Sequence, residues 1–229
     1  MGRLFGTDGA RGIANTELNC ETAMKIGRAA AVVLAGVEHR RPRVLIGMDT
    51  RISSQMLEAA LTAGLCSVGA DVLLVGVVPT PAVAYLIQKY GADAGVMISA
   101  SHNPCEYNGI KLFSGNGYKL SDSLEEEIEA IVLDDAKPIE YPTGGGLGRV
   151  TVEVNAVRDY ITHLLSTVDT RFEGMRIAFD CANGSASRTA EQLFSYLGAE
   201  CHMLSDSPDG VNINDHCGST HLEALSRRV

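Results

Sequence analysis

The chain has 229 residues, 45% hydrophobic, 21% charged and 5% aromatic, with no tryptophan, which excludes disordered, collagen-like and fibrous classes and leaves an ordinary globular protein. No apolar run approaches the ~20 residues that span a bilayer, the N-terminus lacks an apolar signal core, and six scattered cysteines without a C-x-x-C fit reduced thiols. A cytoplasmic protein without a membrane partner is therefore expected, and the net charge of −9 with few aromatics excludes nucleic acid.

The acidity is mostly local. Seven acids (Asp122, Glu125, Glu126, Glu127, Glu129, Asp134 and Asp135) fall in one stretch without Lys or Arg, and the rest of the chain holds 19 basic against 21 acidic residues.

In chain order, 20–35 carries Ile26, Ala30, Val33 and Val37 at near-helical spacing. Val44 to Met48 reads as a short apolar strand. Ser53 or Ser54 then caps a helix with Leu57, Ala60, Leu61, Gly64, Leu65 and Val68 inward. A strand at Asp71 to Val78, a helix at Ala82 to Tyr90 and a strand at Ala94 to Ile98 continue the rhythm. A further strand at Gly109 to Phe113 precedes the turn Ser114-Gly115-Asn116-Gly117. Leu124, Ile128, Ile131 and Val132 then recur at helical spacing inside the acidic stretch, which reads as an amphipathic helix with a solvated acidic face. Buried apolar strands alternating with amphipathic helices predict an α/β fold. Its mostly parallel, mixed sheet is covered by helices on both faces.

Residues 134–148 hold Pro138, Pro142 and Gly144-Gly145-Gly146 and lack periodicity, which places a unit boundary there: 1–150, then 151–229. Beyond it come a helix at Val154 to Leu165, a strand at Arg176 to Asp180 and the turn Cys181-Ala182-Asn183-Gly184. A helix at Ser187 to Leu197 and a strand at Cys201 to Leu204 follow. Last is a helix capped by Ser219 or Thr220 with Leu222, Leu225 and Val229 on one side. That helix has no terminating Gly or Pro, so the second unit is expected to be incomplete.

Ligands of open parallel sheets bind beyond the carboxyl ends of the strands. The loops there are Asp49-Thr50-Arg51, Pro79-Thr80-Pro81 and Ser99-Ala100-Ser101-His102-Asn103-Pro104. The third combines a serine flanked by small residues with a His, an Asn and a Pro. A hydrolase serine normally stands on a G-x-S-x-G elbow, which is absent. A phosphorylated serine would carry about −1.5 to −2 charge and require cations, for which Arg11, Arg51 and Lys111 are available; a plain Asx or Ser/Thr turn is the alternative. Arg11 could equally tie down an N-terminal strand, Lys111 could be a solvated strand-end lysine, and Asp8, Asp49 and Thr80 read as structural loop residues. His216-Cys217 is too close a pair to chelate, and Asn212 to Asp215 lacks the Gly and Glu of a calcium loop.

Together, Phe5-Gly6-Thr7-Asp8-Gly9-Ala10-Arg11-Gly12, Ser99 to Pro104 and Asn108-Gly109-Ile110-Lys111 resemble the α-D-phosphohexomutase family. So do Asp49 to Ser53, Asp180 to Gly184, Asn212 to Asp215 and Gly218 to His221. The likeness is strongest to the bacterial branch acting on glucosamine phosphate, since Ser99 stands where relatives acting on mannose or glucose phosphates more often have threonine. It implies an isomerase that moves a phosphoryl group between the 6- and 1-positions of a hexosamine phosphate, through a phosphoserine at Ser101 and glucosamine 1,6-bisphosphate. The product would feed amino-sugar nucleotide and cell-wall precursor synthesis.

By the same likeness Lys111 and Arg11 stabilise charge and assist proton transfer. His102 shapes the loop and contacts substrate or moves a proton, and Asn103 belongs to the phosphate loop. Magnesium (Mg2+) would bind the phosphate on Ser101 and three aspartates of a D-x-D-x-D loop. Members have four domains and about twice this length, and no D-x-D-x-D occurs here. The 229 residues alone are therefore expected to be inactive and to self-associate through the partial second unit. The other readings are a phosphomannomutase/phosphoglucomutase of the same superfamily, or a non-catalytic phosphosugar-binding relative.

Overall fold

The computed structural model describes residues 3–6, 8–38 and 41–229, with the backbone alone at 36–38. Thr7 and the side chain of Val37, both used in the sequence reading, lie outside the described part.

Strand β2 (Arg43–Met48) shows why this sheet needs two covers. Successive side chains point to opposite faces; Val44, Ile46 and Met48 enter one core and Leu45 another, and all four are buried. Strands β3 (Asp71–Val77) and β4 (Ala94–Ile98) divide likewise, with Val72, Val96 and Ile98 on the first side and Leu73, Val75 and Met97 on the second. With β1 (Ala10–Ile13), β5 (Tyr107–Ser114) and β6 (Val150–Val152) they form one sheet in the order β1-β5-β4-β2-β3-β6. Its pairs are parallel from β4 through β2 and β3 to β6, while β5 is antiparallel to both β4 and β1.

Helices α1 (Cys20–Glu38), α2 (Ile52–Ser67) and α4 (Asp122–Asp134) cover the first face. Helices α3 (Thr80–Tyr90) and α5 (Ala156–Ser166) cover the second. The side chain of Asn19 caps α1 by accepting the Thr22 N–H at 2.9 Å. Helices α1 and α2 approach so closely that a Cβ on Gly64 would lie 2.3 Å from the Met24 carbonyl oxygen. That contact explains a glycine on an inward helical face.

Three expectations change. Helix α2 starts at Ile52 with Arg51 at its N-cap, so Ser53 and Ser54 lie inside the first turn instead of capping it. The Ser54 hydroxyl bonds the Asp49 carboxylate, a stronger acceptor than a backbone group. The C-terminal helix α7 (Glu223–Arg228) has Leu222 at its N-cap, because Ser219 and Thr220 belong to a short 3-10 turn. The acidic helix is not solvated on all its carboxylates either. Glu125 and Glu129 are each 5% exposed. Glu129 accepts backbone N–H groups of Arg3, Leu4 and Phe5 at 3.0, 2.7 and 2.6 Å, and Glu125 pairs with Lys119 at 2.6 Å.

The Pro/Gly-rich stretch is followed by a return to the first sheet. Strand β6 pairs with β3, and Ala156 and Tyr160 of α5 enter the core under α3, so 150–166 pack with the residues before them. The remaining residues form a two-stranded parallel sheet of β7 (Arg176–Asp180) and β8 (Glu200–Leu204), crossed by α6 (Ala190–Tyr196). Phe179 packs on Phe194 of that helix with ring centroids 4.6 Å apart. Among the described residues no helix is long and apolar enough to cross a membrane.

Candidate active site

Strands β2 and β4 are neighbours, so the loops leaving their carboxyl ends lie side by side, and the Asp49 N–H donates to the Ile98 carbonyl at 3.0 Å. The loop after β4 forms a tight turn in which Ser101 adopts φ +57°, a conformation L-residues seldom adopt and one associated with functional positions. The Ser101 N–H donates to Ser99 Oγ at 3.1 Å, and the Asn103 N–H to the Ala100 carbonyl at 3.2 Å. Ser99 and Ala100, read from sequence as clearance around the hydroxyl, are buried beneath the turn. Ser101 and His102 are exposed, Asn103 is half-buried, and among the described residues the Ser101 hydroxyl makes no hydrogen bond. No base is hydrogen-bonded to it among the described residues, as one would be to an activated serine nucleophile.

Under the turn lies Arg51, 1% exposed. Its Nη1 pairs with Asp49 Oδ2, its backbone N–H donates to Asp49 Oδ1 at 3.0 Å, and the Ser54 hydroxyl takes the same oxygen at 3.0 Å. Its Nη2 donates to the carbonyls of Ser101 and Asn103 at 3.1 and 2.6 Å. Burial pulls the Arg51 guanidinium below its usual value, and the Asp49 carboxylate opposes that pull. Asn108 of β5, fully buried, donates to both Ser53 Oγ and Ser54 Oγ, fixing the start of α2.

Arg11 and Lys111 come from the antiparallel end of the sheet. Arg11 stands opposite Gly109 and Lys111 two residues further along β5, so both project from the same face. Arg11 Nη2 lies 3.5 Å from the exposed Asp8 carboxylate, while its buried Nε has no partner among the described residues. Burial first, and then the Arg11 charge, hold the Lys111 amine below its usual value; Asp8 and Asp49 act in the opposite sense. Lys111 feels the charges of Arg11, Arg51, Asp8 and Asp49, so the five form one electrostatic cluster that Arg51 ties to the Ser101 turn, and one carboxylate, Asp49, is consumed by Arg51. The remaining field is positive and suits an anion. Thr80 lies apart from this network, in the first turn of α3 at the end of β3.

The described residues do not fit a magnesium site. No three His, Cys, Asp or Glu side chains converge among them, and both oxygens of Asp49, the buried carboxylate at the turn, are committed to Arg51 and Ser54.

Sequence reasoning missed what the segments after β7 and β8 contribute to this edge. Asn214 Nδ2 donates to the carbonyls of Ser101 and Asn103, each at 2.9 Å, and Thr50 Oγ1 donates to the Asn183 carbonyl at 2.6 Å. The two turns Cys181 to Gly184 and Asn212 to Asp215 therefore close over the first sheet's carboxyl edge. Their sequence signals were placement after an apolar strand and the likeness to the family, and neither says which groups the turns touch. For Asp49 and Arg51 the available signal was two opposite charges directly after a strand buried on both faces.

Residues 2–138 match the family model for phosphoglucomutase/phosphomannomutase, alpha/beta/alpha domain I. The chain is 58% identical over 225 residues to the phosphoglucosamine mutase of Clostridium acetobutylicum, covering 98% of this chain and 50% of that one. It is 54% identical over 229 residues to the phosphoglucosamine mutase of Acetivibrio thermocellus, covering 100% and 51%. The chain spans about half the length of the curated relatives it matches. A phosphoglucomutase/phosphomannomutase family protein of Burkholderia thailandensis superposes with a TM-score of 0.79 at 26% identity, over 98% of this chain and 48% of that one. A putative phosphomannomutase of Thermus thermophilus gives 0.76 at 26%, over 90% and 46%. The mixed sheet with helices on both faces is thus that of a known family, and this chain belongs to it: the phosphoglucomutase/phosphomannomutase family, through its alpha/beta/alpha domain I.

Proposed function

We propose that this chain is the phosphoserine-bearing part of a phosphoglucosamine mutase, a cytoplasmic enzyme that interconverts glucosamine 6-phosphate and glucosamine 1-phosphate. The observation that carries this reading is the Ser101 turn, exposed at φ +57° and held by Arg51, which shares one electrostatic cluster with Arg11 and Lys111. Relatives with the name phosphoglucosamine mutase align along 98–100% of the chain at 54–58% identity, which supports the choice of sugar.

In the forward step the bond from Ser101 Oγ to phosphorus breaks as a bond from phosphorus to O1 of glucosamine 6-phosphate forms. The proton of that sugar hydroxyl ends on Ser101 Oγ, so the serine leaves as a neutral hydroxyl. The product, glucosamine 1,6-bisphosphate, turns over and returns its 6-phosphate to Ser101 by the same exchange. Phosphoryl transfer requires positioning and charge neutralisation more than covalent chemistry. Lys111 and Arg11 neutralise the equatorial oxygens; Lys111, whose amine gives up its proton more readily than usual, and His102, exposed beside Ser101, are the groups that move the proton. Asn103 holds the turn. Under this reading magnesium takes its carboxylates from sequence other than these 229 residues, and no step above depends on it.

The test uses the full gene product that contains this chain, assayed for glucosamine 1-phosphate formation, with the Ser101 peptide weighed for phosphate. Ser101→Ala should reduce kcat by at least about 10³-fold. Turnover retained in Ser101→Ala, or active enzyme that never carries phosphate on Ser101, would overturn the reading.

A further inference from the structure

Two donors, one from each unit, meet on the turn that carries Ser101. The Ser101 carbonyl accepts from Arg51 Nη2 at 3.1 Å and Asn214 Nδ2 at 2.9 Å; the Asn103 carbonyl accepts from the same two atoms at 2.6 and 2.9 Å. A carbonyl oxygen has two lone pairs, so both oxygens are saturated by this pair of side chains. Converging carbonyl dipoles repel unless donors stand between them, and a serine at φ +57° persists only where its surroundings over-determine it. The Arg51–Asn214 bridge meets both needs.

Each donor is itself fixed. Arg51 is enclosed and tied to both oxygens of Asp49. Asn214 adopts φ +58°, which asparagine tolerates, and its N–H donates to the Ala182 carbonyl at 2.9 Å. Around it the second unit reaches the same edge through main-chain atoms: the Ile52 N–H donates to the Gly210 carbonyl at 2.8 Å, and Thr50 Oγ1 to that of Asn183.

We infer that Arg51 and Asn214 are positioning residues that act through the Ser101 turn and together set where the phosphate on Ser101 lies relative to Arg11 and Lys111. The inference rests on the reading of Ser101 as the phosphate carrier. It makes transfer competence depend on how the second unit is seated, because withdrawing Asn214 removes two of the four bonds on the Ser101 and Asn103 carbonyls.

The experiment measures kcat and KM for glucosamine 6-phosphate and Tm in the full gene product, for wild type, Ser101→Ala, Asn214→Gly and Asn214→Asp. Glycine accepts φ +58° and removes both donors; aspartate keeps the shape and turns acceptors toward two carbonyls. A misplacement of about 1 Å costs up to roughly 10²-fold in rate. Asn214→Gly should therefore lose about 10-fold in kcat and Asn214→Asp more, with KM within about 2-fold and Tm within about 2 °C of wild type. Arg51→Lys keeps a cation opposite Asp49 but cannot bridge both carbonyls, and gives the same kcat-selective loss where it folds; where it does not, the Asn214 pair decides. Wild-type kcat in both Asn214 variants, with Ser101→Ala inactive, overturns the clamp alone. A lowered Tm with unchanged kcat per folded molecule also overturns it. An active Ser101→Ala overturns the phosphoserine reading on which the clamp rests.

Discussion

Replacing Glu129 by Gln should detach the N-terminal segment from the body of the protein. In the native state Oε1 accepts the Leu4 and Phe5 N–H groups at 2.7 and 2.6 Å, and Oε2 accepts the Arg3 N–H at 3.0 Å. Glutamine keeps the shape, but one oxygen becomes an NH2 facing a backbone N–H, and the surviving bonds lose their charge. Hydrogen bonds to a charged group contribute about 1.5–3 kcal/mol each and neutral ones about 1. Losing one bond outright and weakening two then costs about 2.5–7 kcal/mol. For a chain of this size that lowers Tm by roughly 5–28 °C.

The pH dependence carries the same signature. Burial pushes the Glu129 carboxyl upward, but the N–H groups of Phe5, Leu4 and Arg3 outweigh it and hold the acid below its usual value. A depressed acid stabilises the fold above its unfolded value, near pH 4.3, and that contribution fades as pH falls through the folded value. Wild type should lose this component on acidification below about pH 4, and Glu129→Gln should lack it. Thermal unfolding at several pH values, with hydrogen exchange at the amides of residues 3–5, measures both effects. A Tm within 1 °C of wild type and unchanged protection at those amides would refute the reasoning.

Lys111→Met should abolish phosphate transfer while leaving the fold as stable or more stable at neutral pH, since it removes a cation that burial disfavours. Because the folded Lys111 value is lowered, the unfolded chain binds the extra proton between that value and about 10.4. Wild-type stability should therefore rise with pH across that window, a slope that urea titrations should find missing in the variant. Gly64→Ala should cost about 1–3 kcal/mol by overpacking, because its Cβ would stand 2.3 Å from the Met24 carbonyl. Unchanged chemical denaturation would show that α1 and α2 part freely.

Much of the architecture was legible beforehand because it depends on local periodicity. The continuous apolar run Val44 to Met48 and the helical spacing of Leu57, Leu61 and Leu65 match buried faces in the structure. The course of the chain after the irregular stretch was harder to read. Composition marked residues 134–148 as irregular, but whether β6 and α5 join the sheet before or after them depends on the edge offered by β3 and the apolar face of α3. A local pattern cannot carry that information. The inward face of α2 through Leu57, Leu61, Gly64 and Leu65 was legible and its start less so, because Ser53 and Ser54 resemble cap residues until Asp49 and Asn108 supply stronger partners.

The opening charge count illustrates the same division. By itself the sequence determined that the −9 is concentrated in one helix, that its strands are buried on both faces, and that Ser101 follows one of them at the carboxyl edge. These follow from composition, from continuous apolar runs and from the 3.6-residue period. The tertiary structure alone decided that Glu129 is a buried acceptor for residues 124–126 positions away. It also decided that Arg51 lies beneath the Ser101 turn, and that Asn214 reaches that turn across 113 residues of chain. Whether a charge or an amide is solvated or buried depends on which distant groups the fold brings within 3 Å, and neighbours in sequence carry no record of that distance.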